Sequence, residues 1–108
     1  MKVWHNSLKE RFIEFPVHQH LLMICNELNR AGNLLNDTQE YKNCLERALE
    51  LLDYSVNSGV WMAKYKEILR ARGLIAHSYV SPPSKTKELQ KIIISLNIEA
   101  FQIVNGKL

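Results

Sequence analysis

A chain of 108 residues with 46% apolar and 23% charged side chains has the size and make-up of one globular domain, able to bury a core without metal or disulfide staples. The net charge of +3 permits contact with nucleic acid but is not the concentrated basic stripe of a dedicated binder: Lys64, Lys66, Arg70 and Arg72, and a second group of Lys85, Lys87 and Lys91, read as solvated helix faces. Two cysteines inside helical patterns, Cys25 and Cys44, exclude a disulfide framework, and the absence of a signal-peptide core or a membrane-length apolar run makes the cytoplasm the expected location.

Residues 1 to 14 place Trp4, Leu8 and Phe12 at four-residue intervals, which predicts a short amphipathic N-terminal helix. Phe15-Pro16 breaks it, because a residue before proline avoids the helical region, and Pro16 then opens the next helix. That second helix is expected from Val17 to Leu35, with Leu21, Ile24, Cys25, Leu28, Ala31, Gly32 and Leu35 on its apolar stripe. Gly32 costs helix propensity and is explained by the close approach of a neighbouring helix.

Asp37-Thr38-Gln39-Glu40 has the form of a capping box, an oxygen acceptor followed three residues later by glutamate. It predicts a third helix to about Val56, with Tyr41, Cys44, Leu45, Ala48, Leu51, Leu52 and Ser55 inward and Asn57-Ser58-Gly59 as the stop. Trp61, Tyr65, Ile68, Leu69, Ile75, Ala76 and Tyr79 form a fourth stripe, with Gly73 as the expected kink or end. Ser81-Pro82-Pro83-Ser84 is a boundary, since two prolines cannot sit inside a helix. The last helix is expected from Ser84 or Lys85 to Asn105-Gly106, carrying Leu89, Ile92, Ile93, Leu96, Ala100 and Ile103. The fold class is therefore all-α: an up-and-down bundle of four main helices plus a weaker N-terminal one, in a single domain spanning residues 1–108. Its generous apolar stripes fit a homodimer.

The segment from Trp61 to Tyr79 gathers a permanent cation, Arg72, a group titrating near neutrality, His77, and a phenol, Tyr79. On an unbroken helix a spacing of five turns Arg72 and His77 about 140° apart with about 7.5 Å of rise, whereas Arg72 and Tyr79 share a face. Two arrangements would reunite the cation and the imidazole: a break at Gly73, or two copies of the segment across a two-fold axis. At such a site the guanidinium would hold a phosphate and the imidazole would pass a proton.

These residues resemble the motif of the HEPN superfamily, small all-α domains with an arginine followed closely by a histidine late in the chain. The nearest subgroup carries Arg-x-x-x-x-His-x-Tyr, and Arg72, His77 and Tyr79 fill those positions, with one helix following. The position after the arginine, often asparagine or aspartate in that superfamily, is Gly73 here. The resemblance implies a metal-independent endoribonuclease of toxin type, with Arg72, His77 and Tyr79 as catalytic residues. It also implies RNA as substrate and a nucleotidyltransferase-type protein as partner. The plainer reading leaves Arg72 lying along the surface, His77 in solvent and Tyr79 in the core.

The second helix has an asparagine-rich polar edge, Asn26, Glu27, Asn29, Arg30, Asn33 and Asn36. It reads either as an exposed face with Glu27 and Arg30 paired one turn apart, or as a binding rim in which Asn26, Glu27, Arg30 and Asn33 meet RNA or protein. The second use would make the chain a non-enzymatic interaction module. His18 and His20, two apart, face away from each other and give no metal-ligand pair. No phosphate loop, nucleophile elbow or redox motif is present, and no cofactor is expected.

Overall fold

The structure is a computed structural model that describes residues 6–80 and 86–105, with side chains from Glu10 onward. The side chains of Trp4 and Leu8, the Pro82-Pro83 boundary and Lys85 lie outside the described residues. Six α-helices are found: α1 Asn6–Glu14, α2 Val17–Asn33, α3 Thr38–Asn57, α4 Tyr65–Val80, α5 Thr86–Ile94 and α6 Ile98–Val104. The described residues contain no strand, so the all-α bundle stands. None of their helices is long and apolar enough to cross a membrane.

The central pair is α2 and α3, turned back on each other by the short connection at residues 34–37. Leu21, Ile24, Leu28 and Ala31 of α2 meet Tyr41, Cys44, Leu45, Ala48 and Leu52 of α3, all but lost to solvent. The Glu40 amide donates to Asp37 Oδ1 at 3.1 Å, so the expected cap forms. After α3 the chain leaves the helix through Gly59 at φ +85°, a left-handed conformation that glycine adopts without Cβ strain.

The outer helices flank this pair: α1 and α4 pack on α3, α5 and α6 on α2. Phe12 of α1 is fully buried and stacks on His20 with ring centroids 4.2 Å apart. The predicted close approach at Gly32 is present: a Cβ there would collide with Thr86 Oγ1 at the start of α5.

Two expectations are corrected. Gly73 neither kinks nor ends α4, which runs unbroken from Tyr65 to Val80; the glycine is exposed and an added Cβ would meet nothing within 4 Å. The last helix is two helices. Asn97 caps α6 by accepting from the Ala100 amide at 3.0 Å, and the Leu96 carbonyl accepts from Lys64 Nζ at 2.9 Å. The apolar period carries on across Leu96, which is itself buried, so periodicity alone hid the break.

A buried polar chain locks three elements together. Trp61 Nε1 donates to Ser55 Oγ at 2.6 Å, which leaves the Ser55 hydroxyl to donate to His20 Nδ1 at 2.8 Å. His20 is thereby held as the neutral tautomer with its proton on Nε2.

Candidate functional site

The helix spacing of α4 decides the geometry of Arg72, His77 and Tyr79. Arg72 points back to α3, where Nε donates to Asp53 Oδ1 at 2.6 Å and Nη2 to Oδ2 at 3.1 Å. This fork matches the planar carboxylate, and the Asp53 hydrogen bond holds the guanidinium pKa above its ordinary value against a smaller burial effect. His77 is exposed and sits about 140° further round the same unbroken helix. Tyr79 is half-buried against the core, with Lys42 Nζ 5.3 Å from its ring centroid. Within one chain the structure keeps Arg72 and Tyr79 on one side of α4 and turns His77 away. With α4 continuous at Gly73, a second copy is the remaining way to bring an imidazole to Arg72.

The polar edge of α2 is built differently from a plain solvated face. Asn26, Arg30 and Asn33 are exposed, but the Glu27 side chain keeps only 12% of its surface accessible. Its Oε1 accepts from Arg30 Nη1 at 3.1 Å, and its Oε2 lies 3.6 Å from Arg47 Nη1 of α3. The carboxylate therefore stands between two guanidiniums, one from each central helix.

These groups line an open cleft of about 360 Å³ between α2 and α3. Met23 and Leu51 supply its apolar part, and Glu50 and Tyr54 extend its polar wall. Tyr54 donates to Glu50 Oε1 at 2.5 Å. Burial first, and then Glu50, push the phenol up to about 12, so it is a hydrogen-bond donor at any physiological pH. Asn26 lines the adjoining hollow with Glu27 and Arg30, whereas Asn33 is not part of either wall. Arg47, Glu50 and Tyr54 escaped the sequence reading. Their signal is a polar stripe at three- and four-residue spacing within the apolar third helix, but only the packing of α2 shows which stripe faces the cleft.

The remaining candidates resolve into structural roles. His18 Nδ1 meets Glu99 Oε2 at 2.9 Å while His20 is buried on Ser55, so the two rings diverge as expected. Among the described residues no three His, Cys, Asp or Glu side chains group to hold a metal ion. Both cysteines are free and buried; burial pushes Cys25 up to about 12 and also raises Cys44, with Glu27 adding to the effect. Neither thiol has the lowered pKa of a nucleophile.

No family model matches the chain, and no solved structure matches it. Among curated proteins, a segment of 71 residues, 65% of the chain, is 34% identical to a large-assembly component of Drosophila mojavensis, one of the subunits of eukaryotic translation initiation factor 3. The same identity over the same length is found with the corresponding proteins of Drosophila virilis and Drosophila melanogaster. The chain spans about 6% of the length of these relatives.

Proposed function

We propose that this chain is a non-enzymatic helical interaction module, and that the α2 edge with the α2–α3 cleft is its contact with a protein partner. The observation that carries the reading is the placement of Glu27. Its carboxylate is mostly withdrawn from solvent, held between Arg30 and Arg47, and set beside the apolar Met23 and Leu51. Charges positioned before a partner arrives lose little freedom on binding, and an apolar base with a few fixed polar groups is the usual make-up of a recognition site. The curated relatives support the same direction, since their name describes one subunit of a multi-subunit factor.

Affinity capture of the tagged chain followed by cross-linking tests this reading. A partner should be retained, cross-links should fall near Asn26 and Arg30, and Arg30→Ala or Asn26→Ala should release it. A partner held equally by both variants removes the α2 edge from the interface.

A second reading is supported by the Arg72, His77 and Tyr79 spacing and by the exposure of His77: a HEPN-like, metal-independent endoribonuclease. It needs a two-fold mate, for which the exposed Tyr65, Leu69 and Val80 on α4 offer an apolar face, and it needs Arg72 to exchange Asp53 for a phosphate. Under it, RNA is cut in the presence of EDTA and His77→Ala abolishes cutting while the protein stays folded. Equal cleavage by the variant would remove His77 from the reaction.

A further inference from the structure

A second concavity lies on the other flank of α2, where α5 and α6 meet it. From α2 it takes Leu22, Cys25, Asn26 and Asn29; from α5, Lys87, Gln90, Lys91 and Ile94. Both sets fall at i, i+3, i+4 and i+7, so each helix turns one face inward. Phe101, Val104 and Asn105 at the end of the chain's last helix complete a groove of about 680 Å³.

Its chemistry is divided by height. Cys25 and Ile94 are buried at the base, while Phe101 and Val104 stand 45% and 56% exposed along one wall. The rim carries Lys87 and Lys91, one helical turn apart, facing the amides of Asn26 and Asn29. No carboxylate lines the groove. Among the described residues neither lysine is in an ion pair, in contrast to Arg30, Arg47 and Arg72, each of which has a carboxylate partner.

We propose that this groove docks an acidic amphipathic helix of a partner protein. A helix laid in an apolar groove anchors it through side chains at i, i+3 or i+4, and i+7. The length of the groove, set by two helical faces each spanning i to i+7, accommodates that repeat. The partner's flanking Asp or Glu side chains would meet Lys87 and Lys91, and a basic helix would meet like charge there. Single-stranded RNA fits less well, because it needs aromatic stacking platforms beside a track of cations, and the wall offers one aromatic ring and two lysines. This inference rests on the interaction-module reading and adds the chemistry of the partner to it.

The test uses two fluorescein-labelled helical peptides with the same leucine repeat, one with glutamate and one with lysine at the flanking positions, and an oligouridine as a third probe. Anisotropy should show the acidic peptide binding the full chain at least ~10-fold more tightly than the basic one, with Lys87→Glu/Lys91→Glu reversing that preference. Phe101→Ala should weaken the acidic peptide, and circular dichroism should show both variants folded. The proposal is overturned by equal binding of the two peptides, by binding indifferent to Lys87→Glu/Lys91→Glu, or by no acidic binding at about 100 μM. Oligouridine binding lost on the lysine reversal, without acidic-peptide binding, would assign the groove to nucleic acid instead. Arg30→Ala separates the two proposals. It should release a partner from the α2–α3 cleft and leave the peptide bound, so either site can fail while the other stands.

Discussion

Arg72 on α4 is clasped by Asp53 on α3 through two parallel hydrogen bonds, at 2.6 and 3.1 Å. The two side chains are 38% and 35% exposed, so water screens the pair and its worth is at most about 1 kcal/mol. In urea unfolding, Asp53→Ala and Arg72→Ala should each cost about that much, and the double variant little more than either alone. A coupling above about 2 kcal/mol in the double-mutant cycle would mark the pair as dry. Asp53→Ala also bears on the ribonuclease reading, because it frees the guanidinium. Stronger RNA binding by this variant supports a phosphate role for Arg72, and unchanged binding speaks against it.

His20 makes stability depend on pH. Burial lowers its pKa below the ordinary 6.5, with the backbone of Phe12 and Phe15 offsetting part of the effect. The unfolded chain therefore takes up a proton at a higher pH than the folded one. The contribution is full above pH 6.5 and is lost as the pH falls through the folded pKa. The urea midpoint should drop between about pH 7.5 and about pH 5. His20→Asn, whose amide oxygen can accept from Ser55 in place of Nδ1, should flatten that slope while lowering stability at neutral pH.

Two glycines on different helices should respond in opposite senses to the same substitution. At Gly73 the helix is regular and the added methyl meets nothing, so Gly73→Ala should stabilise by about 0.5–1 kcal/mol. At Gly32 the methyl runs into Thr86, a buried β-branched residue with little rotamer freedom. Gly32→Ala should destabilise by about 1–3 kcal/mol despite better helix propensity. Thermal melts of the two variants decide both, and a stabilised Gly32→Ala would mean that α5 does not seat tightly on α2.

Tyr54 should ionise late. Its pKa is raised from 10.0 to about 12, so the unfolded chain gives up this proton first and stability declines as the pH rises above 10. Ultraviolet difference titration should show a late tyrosinate component that disappears in Tyr54→Phe. If that variant leaves the titration curve unchanged, the phenol is not withdrawn into the cleft as described.

Much of this was legible along the chain because helices are local objects. Pro16 starts α2, Asp37 caps α3, Gly59 lets the chain out of α3, and the three-four spacing marks the buried faces. Each signal acts within a turn or two of the residue that carries it. The break at Asn97 escaped because its cap is equally local but the apolar pattern on both sides stays in phase. The polar pairs were the hardest to see. Asp53 lies 19 positions from Arg72 and Ser55 lies 35 from His20, and nothing in the local sequence names such partners.

For this protein, composition and periodicity were enough to determine an all-helical domain with its core on the faces of α2 and α3, since burial follows the helical repeat. Which polar groups meet was decided only when the helices packed. The angle and contact line between two helices determine whether a carboxylate far along the chain falls on a guanidinium. They also decide whether a lysine rim is left without a counter-charge.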